Sequence, residues 1–383
     1  MPTSRASLQA NIKMEDFLKH SKVCLKNLTE FNEVHVVLGN EACDLDSMVS
    51  SLIYAFSIFK TLSNVPAKQT AVVPVFNIPR EDFCLRTEAV FLFKQFHLDH
   101  DFFTFIEDIE LETLMETKKL KLTLVDHNVL AQAQKYLETA VIEILDHHQD
   151  MWPAELKVNK TIELVGSCCT LVAEKLLAVD ILDNMMCSLL LGTILLDTIN
   201  LDPRAGKTTH KDKQIVSRLM ERHPVAVDEL YAGLSKAKFD VSAISTPDLL
   251  RKDYKALPKN SSEALSVSIS AVSGLSMQEF FSRAQVQHHI VKFCESSCLD
   301  VLVIMFVYFG DGLDEPPSKQ LAVCGPNQDA SGQIGDYLST SAELKLKQYS
   351  ESYENCFVYD QENIKATRKD VFPLVHAFLQ NKL

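Results

Sequence analysis

The sequence predicts an α/β protein of two domains, the first built on a parallel sheet and the second a smaller α/β unit. Short apolar runs alternate with helix-period segments throughout the first half, the pattern of βαβ units. That alternation weakens after residue 202 into polar, mainly helical sequence and resumes near residue 265. A chain of 383 residues, 46% hydrophobic and 23% charged, is long and apolar enough to bury two cores. The expected boundaries are residues 1–205 for the first domain, 206–245 for a helical linker region and 246–383 for the second domain.

The elements follow in order. Residues 34–38 (VHVVL) are β-branched and apolar, and read as a strand. A polar loop leads from it to a helix at 47–60. Residues 71–78 form the second strand and 88–96 a helix. Residues 122–125 and 141–145 are two more short strands, each running straight into a loop rich in Asp and His. A strand at 162–165, a helix at 170–178 and an apolar helix at about 185–195 complete the first domain. The second domain reads as strand 265–272, helix 277–293, strands near 301–307 and 320–323, helix 333–345, strand 355–359 and helix 368–380.

The longest apolar run, LDVLVIMFVYFG, is about half of what a membrane span needs. The first residues lack the apolar core of a secretory signal. A cytoplasmic, monomeric protein with no membrane partner is expected, although the closing Asn381-Lys382-Leu383 resembles a peroxisome-type address. A formal net charge of −13 argues against a nucleic-acid surface. It leaves room for a polyanionic substrate, because bound cations can reverse the field inside a cleft. Ten cysteines without metal-ligand spacing are expected to be free thiols, with no structural disulfide.

Four segments end in hard donors. GNEACDLDS carries Asp44 and Asp46; VDHN carries Asp126 and His127; LDHH carries Asp146, His147 and His148; and LLLGTILLDTINL carries Asp197. Loops beyond the carboxyl ends of parallel strands share one rim, so clusters distant in sequence can converge there. A lone strand-terminal Asp is more often a helix cap. Four such clusters, one inside an apolar helix where an unpaired carboxylate costs several kcal/mol, point instead to bound cations. Carboxylates with one or two imidazoles suit two Mg²⁺ or Mn²⁺ ions, with Co²⁺ or Zn²⁺ as substitutes.

In this order, DLDS at 44–47, VDHN at 125–128, LDHH at 145–148 and LLD at 195–197 resemble the motifs of the DHH phosphoesterase superfamily. RKDYK at 251–255 and ATRKD at 366–370 look like the basic motifs of its DHHA2 domain, so the resemblance covers nearly the whole chain. HVVLGNEACDLDS and KAKFDVS look most like the animal prune proteins, and NIPRED and ATRKD like the cytosolic yeast-type exopolyphosphatases. Prune proteins often carry DHR where this chain has DHH.

The resemblance implies an exopolyphosphatase that releases orthophosphate from the ends of inorganic polyphosphate, short chains favoured, with its site in the cleft between the two domains. It also implies roles. Asp44 binds the first metal and Asp46 the second, Asp126 bridges them, and His147 and Asp197 complete the second site. His148 sits beside the substrate, with His127 a polar neighbour. Asn40 stands where family II pyrophosphatases usually have His; as a ligand it would tilt the first site toward Mg²⁺. Lys255, Arg368 and Lys369 grip substrate, Thr367 capping the last helix with Asp370 in the capping-box position. Arg80 and Arg86 line the same cleft. The alternatives are a pyrophosphatase or triphosphatase, a phosphodiesterase acting on a short nucleotide, and an inactive regulatory binding protein.

Overall fold

A computed structural model describes residues 12–62, 69–258, 265–308 and 316–381. The chain divides into two compact units, Met1–Lys238 and Phe239–Leu383.

The first unit contains strands β1 (Glu33–Leu38), β2 (Thr70–Val75), β3 (Leu120–Val125), β4 (Val141–Asp146) and β5 (Asn159–Ile162). Its helices are α1 (Met14–Leu25), α2 (Leu45–Leu62), α3 (Thr87–Gln95), α4 (Leu111–Glu116), α5 (Cys168–Ala178), α6 (Asn184–Asp197), α7 (His210–Arg222) and α8 (Val227–Phe239). The five strands are all parallel, in the order β2-β1-β3-β4-β5. Successive side chains of β1 alternate between two cores: Val37 packs with α2, α5 and α6, while Val36 and Leu38 pack with α4 and Trp152. That two-sided burial is why these strands read as continuous apolar runs. The strand order reverses between β1 and β3, and in open α/β sheets ligands bind beyond the carboxyl ends of the strands at such a switch point.

The strand expected at 162–165 lies earlier, at Asn159–Ile162, so residues 163–167 are a loop. Residues 206–245 hold α7 and α8, both inside the first unit apart from the last residue of α8, and α7 inserts Ile215, Val216 and Leu219 into its core.

The second unit contains α9 (Thr246–Lys252), β6 (Tyr254–Ala256), β7 (Val267–Ser273), α10 (Met277–Phe281), α11 (Val286–Ser296), β8 (Val301–Tyr308), β9 (Ser318–Cys324), α12 (Gln328–Ser339), β10 (Leu346–Gln348), β11 (Cys356–Gln361) and α13 (Arg368–Asn381). Its sheet runs β10-β11-β9-β8-β7-β6 and is mixed, with only β7 and β8 parallel. Helices α12 and α13 cover one face through Ile334, Leu338, Val371 and Val375.

Three expectations change here. The helix expected over 277–293 is two helices, broken where Gln285 takes a left-handed conformation (φ 55°). The helix expected over 333–345 begins at residue 328, where the Asn327 side chain accepts from the Ala330 N–H and caps it. The expectation of no disulfide is overturned. Cys324 and Cys356 face each other across the antiparallel β9–β11 pair, their Cα atoms 4.4 Å apart, and are bonded. Register alone brings together two thiols separated by 32 residues.

Candidate metal centre

The loop after β1 turns back on the start of α2. Asp44 caps that helix, one carboxylate oxygen accepting the Ser47 N–H at 3.1 Å. The capping role and a ligand role are thus compatible, because the carboxyl group also lines a cavity of about 510 Å³. Asp46, in the first turn, is gripped by the opening of another helix: its oxygens accept the N–H groups of Cys168 (2.6 Å) and Cys169 (2.8 Å) at the start of α5. Helix N-termini favour negative charge, and these two amides orient the carboxylate.

Asp126 follows β3 in a left-handed conformation (φ 62°), which costs a residue with a Cβ and turns its carboxylate inward. One oxygen accepts from Ser47 Oγ (2.7 Å) and Asn40 Nδ2 (2.8 Å); the other lies 3.1 Å from His147 Nε2. Asn40 donates again to the Asp126 carbonyl (3.1 Å), and its own amide oxygen accepts the Cys43 N–H (2.9 Å). Asn40 thus orients Asp126 through its amide nitrogen, and it lines the same cavity.

After β4, the buried Asp146 carboxylate organises both histidines: it accepts from the N–H groups of His147 (2.7 Å) and His148 (3.2 Å) and from His148 Nδ1 (2.8 Å). His147 Nδ1 donates to the Val165 carbonyl (2.9 Å), which leaves Nε2 to face Asp126 and, at 3.8 Å, Asp46. His148 is half exposed at the cavity wall. One potential ligand atom from each of Asp126, His147 and His148 lies within 4.8 Å of the others.

Asp197 closes the cluster from the end of α6. Its Oδ2 is buried without a hydrogen-bond partner, at a helix C-terminus, where a negative charge is disfavoured. Burial, then the charges of Asp46 and Asp44, hold its carboxyl well above the ordinary range. Burial and Asp46 likewise raise Asp44, and they push Asp126 up to about 7. Burial opposes a charged His147, but the Asp126 hydrogen bond and the Asp46 charge carry it up to about 10. Carboxylates forced together against their own repulsion, one with an orphaned oxygen, fit divalent cations.

Not every expected residue reaches this cavity. His127 donates through Nδ1 to the Val125 carbonyl (2.9 Å), its Nε2 is buried without a partner, and it is not among the lining residues. Arg80 is engaged elsewhere, paired with Asp108 at 2.6 Å and stacked on Phe105. Arg86 holds the metal loop from outside, donating twice to the Ala42 carbonyl (3.1 and 2.7 Å). In the second unit, Arg368 binds Asp253 and Lys255 lies over the Phe372 ring at 5.0 Å, so these two cations share one end of that unit. Thr367 and Asp370 form the expected cap: Thr367 Oγ1 accepts the Lys369 N–H (3.2 Å) and Asp370 accepts the Thr367 N–H (2.6 Å).

Sequence reasoning missed four contributors: Ser47, Asp212, Lys207 and Lys238. Asp212 is fully buried and accepts the Gly166 N–H and the hydroxyls of Thr170 (2.6 Å) and Thr209 (2.7 Å). It clamps the loop that supplies the Val165 carbonyl and the α5 N-terminus. Its signal was present as a Thr-x-x-Asp capping box at 209–212. Lys207 and Lys238 line the cavity itself.

Residues 35–196 match the DHH family, N-terminal domain, and residues 232–378 match the DHHA2 domain. The chain is 38% identical over 376 residues to exopolyphosphatase PRUNE1 of Homo sapiens, covering 96% of this chain and 79% of the human protein. It is 39% identical to the Bos taurus protein of the same name over 372 residues, with the same coverage. A manganese-dependent inorganic pyrophosphatase of Methanothrix thermoacetophila is 24% identical over 277 residues, 70% of this chain and 79% of that protein. Among solved structures, a Methanococcus jannaschii protein assigned to the family II inorganic pyrophosphatases shares the fold, with a TM-score of 0.54 at 19% identity over 90% of this chain and 99% of that one.

Proposed function

The chain belongs to the DHH family, with a DHHA2 domain, and on that premise we propose that it is a metal-dependent exopolyphosphatase. Its substrate is inorganic polyphosphate, short chains preferred, and its product orthophosphate. The observation that carries this reading is the buried, partnerless oxygen of Asp197 beside Asp44, Asp46 and Asp126 on one cavity.

Asp44, Asp46, Asp126, His147 and Asp197 would hold two divalent cations, Mg²⁺ or Mn²⁺. Such ions supply Lewis acidity, neutralise phosphoryl charge and lower the pKa of water toward neutrality. The chain's own residues do the positioning. The α5 amides fix Asp46, while Ser47 and Asn40 fix Asp126. The Val165 carbonyl sets the His147 tautomer. His148, raised above its ordinary value by its hydrogen bond to Asp146, favours the protonated form and donates to the leaving phosphate oxygen as water attacks in line. Lys255, Arg368 and Lys369 are the second unit's phosphate-binding cations on the resemblance of its basic motifs to the DHHA2 domain. Among the described residues no helix is long and apolar enough to cross a membrane. We assign a cytoplasmic monomer; Lys382 and Leu383 of the closing tripeptide lie outside the described residues.

Orthophosphate release from pyrophosphate, tripolyphosphate and long polyphosphate, with Mg²⁺ or Mn²⁺, tests the reading. Activity is expected on tripolyphosphate and longer chains, to be abolished by EDTA and in Asp126→Asn with the fold intact. Turnover confined to pyrophosphate would favour the pyrophosphatase alternative, which the Methanothrix relative supports. An inert protein would leave the regulatory alternative.

A further inference from the structure

The loop that carries Asp44 and Asp46 is also held from outside the cavity, by a pair of side-chain amides. Asn77 lies two residues beyond β2, and Gln134 lies in the 3₁₀ segment Gln132–Ala140 between β3 and β4. Gln134 Nε2 donates to Asn77 Oδ1 at 2.7 Å, and Asn77 Nδ2 donates to Gln134 Oε1 at 3.3 Å. The same Asn77 nitrogen donates to the Gly39 carbonyl at 3.1 Å. Strands β2 and β3 flank β1 in the sheet, so the pair joins the segments that follow them around the carboxyl end of β1.

Asn77 is 6% exposed and does not line the cavity. A side-chain amide has two N–H groups and one oxygen to place, and here all three are used. The Asn77 backbone is engaged as well, hydrogen-bonding the buried Cys43 thiol. Asn77 thus grips the loop after β1 at two points, Gly39 and Cys43. Asn40, between them, donates to Asp126 through Nδ2 (2.8 Å). Its backbone N–H meets Ser47 Oγ (3.1 Å), which in turn donates to the same Asp126 oxygen (2.7 Å). Gly39 itself is packed on Ser47, where an added Cβ would meet the Ser47 Cβ at 3.0 Å. A shift of the Gly39 carbonyl therefore moves both groups that hold Asp126.

We propose that the Asn77–Gln134 pair is a positioning device for the metal centre, fixing the loop after β1 so that Asn40 and Ser47 present Asp126 to a divalent cation. The inference rests on the hydrolase reading above and deepens it. Neither amide lines the cavity, so neither meets cation or substrate; both act through Gly39. A pair needed only to join two loops would be complete with its two mutual bonds. The bond to Gly39 adds the metal loop to it. Groups behind a ligand set how tightly that ligand holds its ion, and the route here is short: Gln134, Asn77, Gly39, Asn40 and Asp126.

The test is Mg²⁺ uptake by isothermal titration calorimetry, with no substrate present, for wild type, Asn77→Ala, Gln134→Ala and the double variant. Asn77→Ala is expected to raise the half-saturating Mg²⁺ concentration roughly 10- to 100-fold. Gln134→Ala, at a half-buried residue, should raise it by a smaller factor. The double variant should go no further than Asn77→Ala, because Gln134 acts through Asn77. With tripolyphosphate and saturating Mg²⁺, kcat should return toward wild type at an unchanged KM. A merely structural pair would lower the Tm of the metal-free protein and leave Mg²⁺ uptake unmoved. Wild-type Mg²⁺ affinity in folded Asn77→Ala would therefore overturn the positioning role alone. If that variant does not fold, Gln134→Ala decides by the same criterion. Failure of Mg²⁺ to bind wild-type protein would sink the hydrolase reading and this one with it.

Discussion

Asp197 shows most directly what the site asks of a single residue. Its Oδ2 is buried without a hydrogen-bond partner, and like charges lie beside it. A carboxyl whose folded-state pKa is raised holds a proton that the unfolded chain gives up. Its stabilising contribution is therefore complete below the unfolded value of about 3.9 and is lost as pH rises through the folded one. The metal-free protein should accordingly lose stability as pH rises from about 4 toward neutrality. Asp197→Asn should remove that loss, raising Tm by roughly 2–4 °C per kcal/mol relieved, while abolishing phosphate release. Mg²⁺ should raise the wild-type Tm more at pH 8 than at pH 5, because ligands must be deprotonated to bind. Scanning calorimetry with EDTA or Mg²⁺ checks all three, and a variant less stable than wild type at pH 8 in EDTA would refute the account. The residue type was legible in sequence, since an Asp in LLLGTILLDTINL is out of place. The opposite holds for Asn40: nothing in its neighbours announced that its amide would be spent on Cys43 and Asp126.

At the scale of elements, the loop at 163–167 decides how well those residues are aimed. It joins β5 to α5, presents the Val165 carbonyl to His147 and sets the α5 amides on Asp46. Gly166 is the tight point: a Cβ there would meet Thr198 Cγ2 at 2.5 Å and the Lys207 carbonyl at 2.6 Å. Gly166→Ala should therefore shift the loop, and a misplacement of about 1 Å can cost on the order of 100-fold in rate. Phosphate release is expected to fall by that order with far-ultraviolet circular dichroism unchanged. Asp212→Ala should act on the same loop with a larger stability cost, since the Gly166 N–H and two hydroxyls lose their acceptor at about 1–3 kcal/mol for each left buried and unpaired. Urea unfolding measures it, and wild-type stability in that variant would count against the clamp. The loop was misread as strand because Ile162 and Val165 are β-formers in an apolar setting. Pairing with β4 ends at Ile162, and only the sheet register shows that.

For the whole molecule, the two units carry different kinds of information. The first is a five-stranded parallel sheet whose switch point gathers donors from four segments; the second is a mixed sheet with a cross-strand Cys324–Cys356 bond. Unfolding without reductant in the presence of iodoacetamide should label eight of the ten cysteines, leaving Cys324 and Cys356 unmodified by peptide mass analysis. Labelling of all ten would show that the pair is reduced in solution.

By itself the sequence determined the α/β class, the parallel first sheet and the acidic and histidine-bearing loops, because these are local properties: periodicity, turn chemistry and residue type repeat within a few positions. Tertiary structure decided which of those groups meet. It turned His127 and Arg80 away, tied Asn40 to Asp126, put Asp212 behind the donors, brought Lys207 and Lys238 to the cavity and paired two cysteines across strands. Each of those outcomes depends on strand register, helix placement and which hydrogen-bond partner lies nearest in space. Such facts arise only when segments far apart along the chain compete for the same few ångströms.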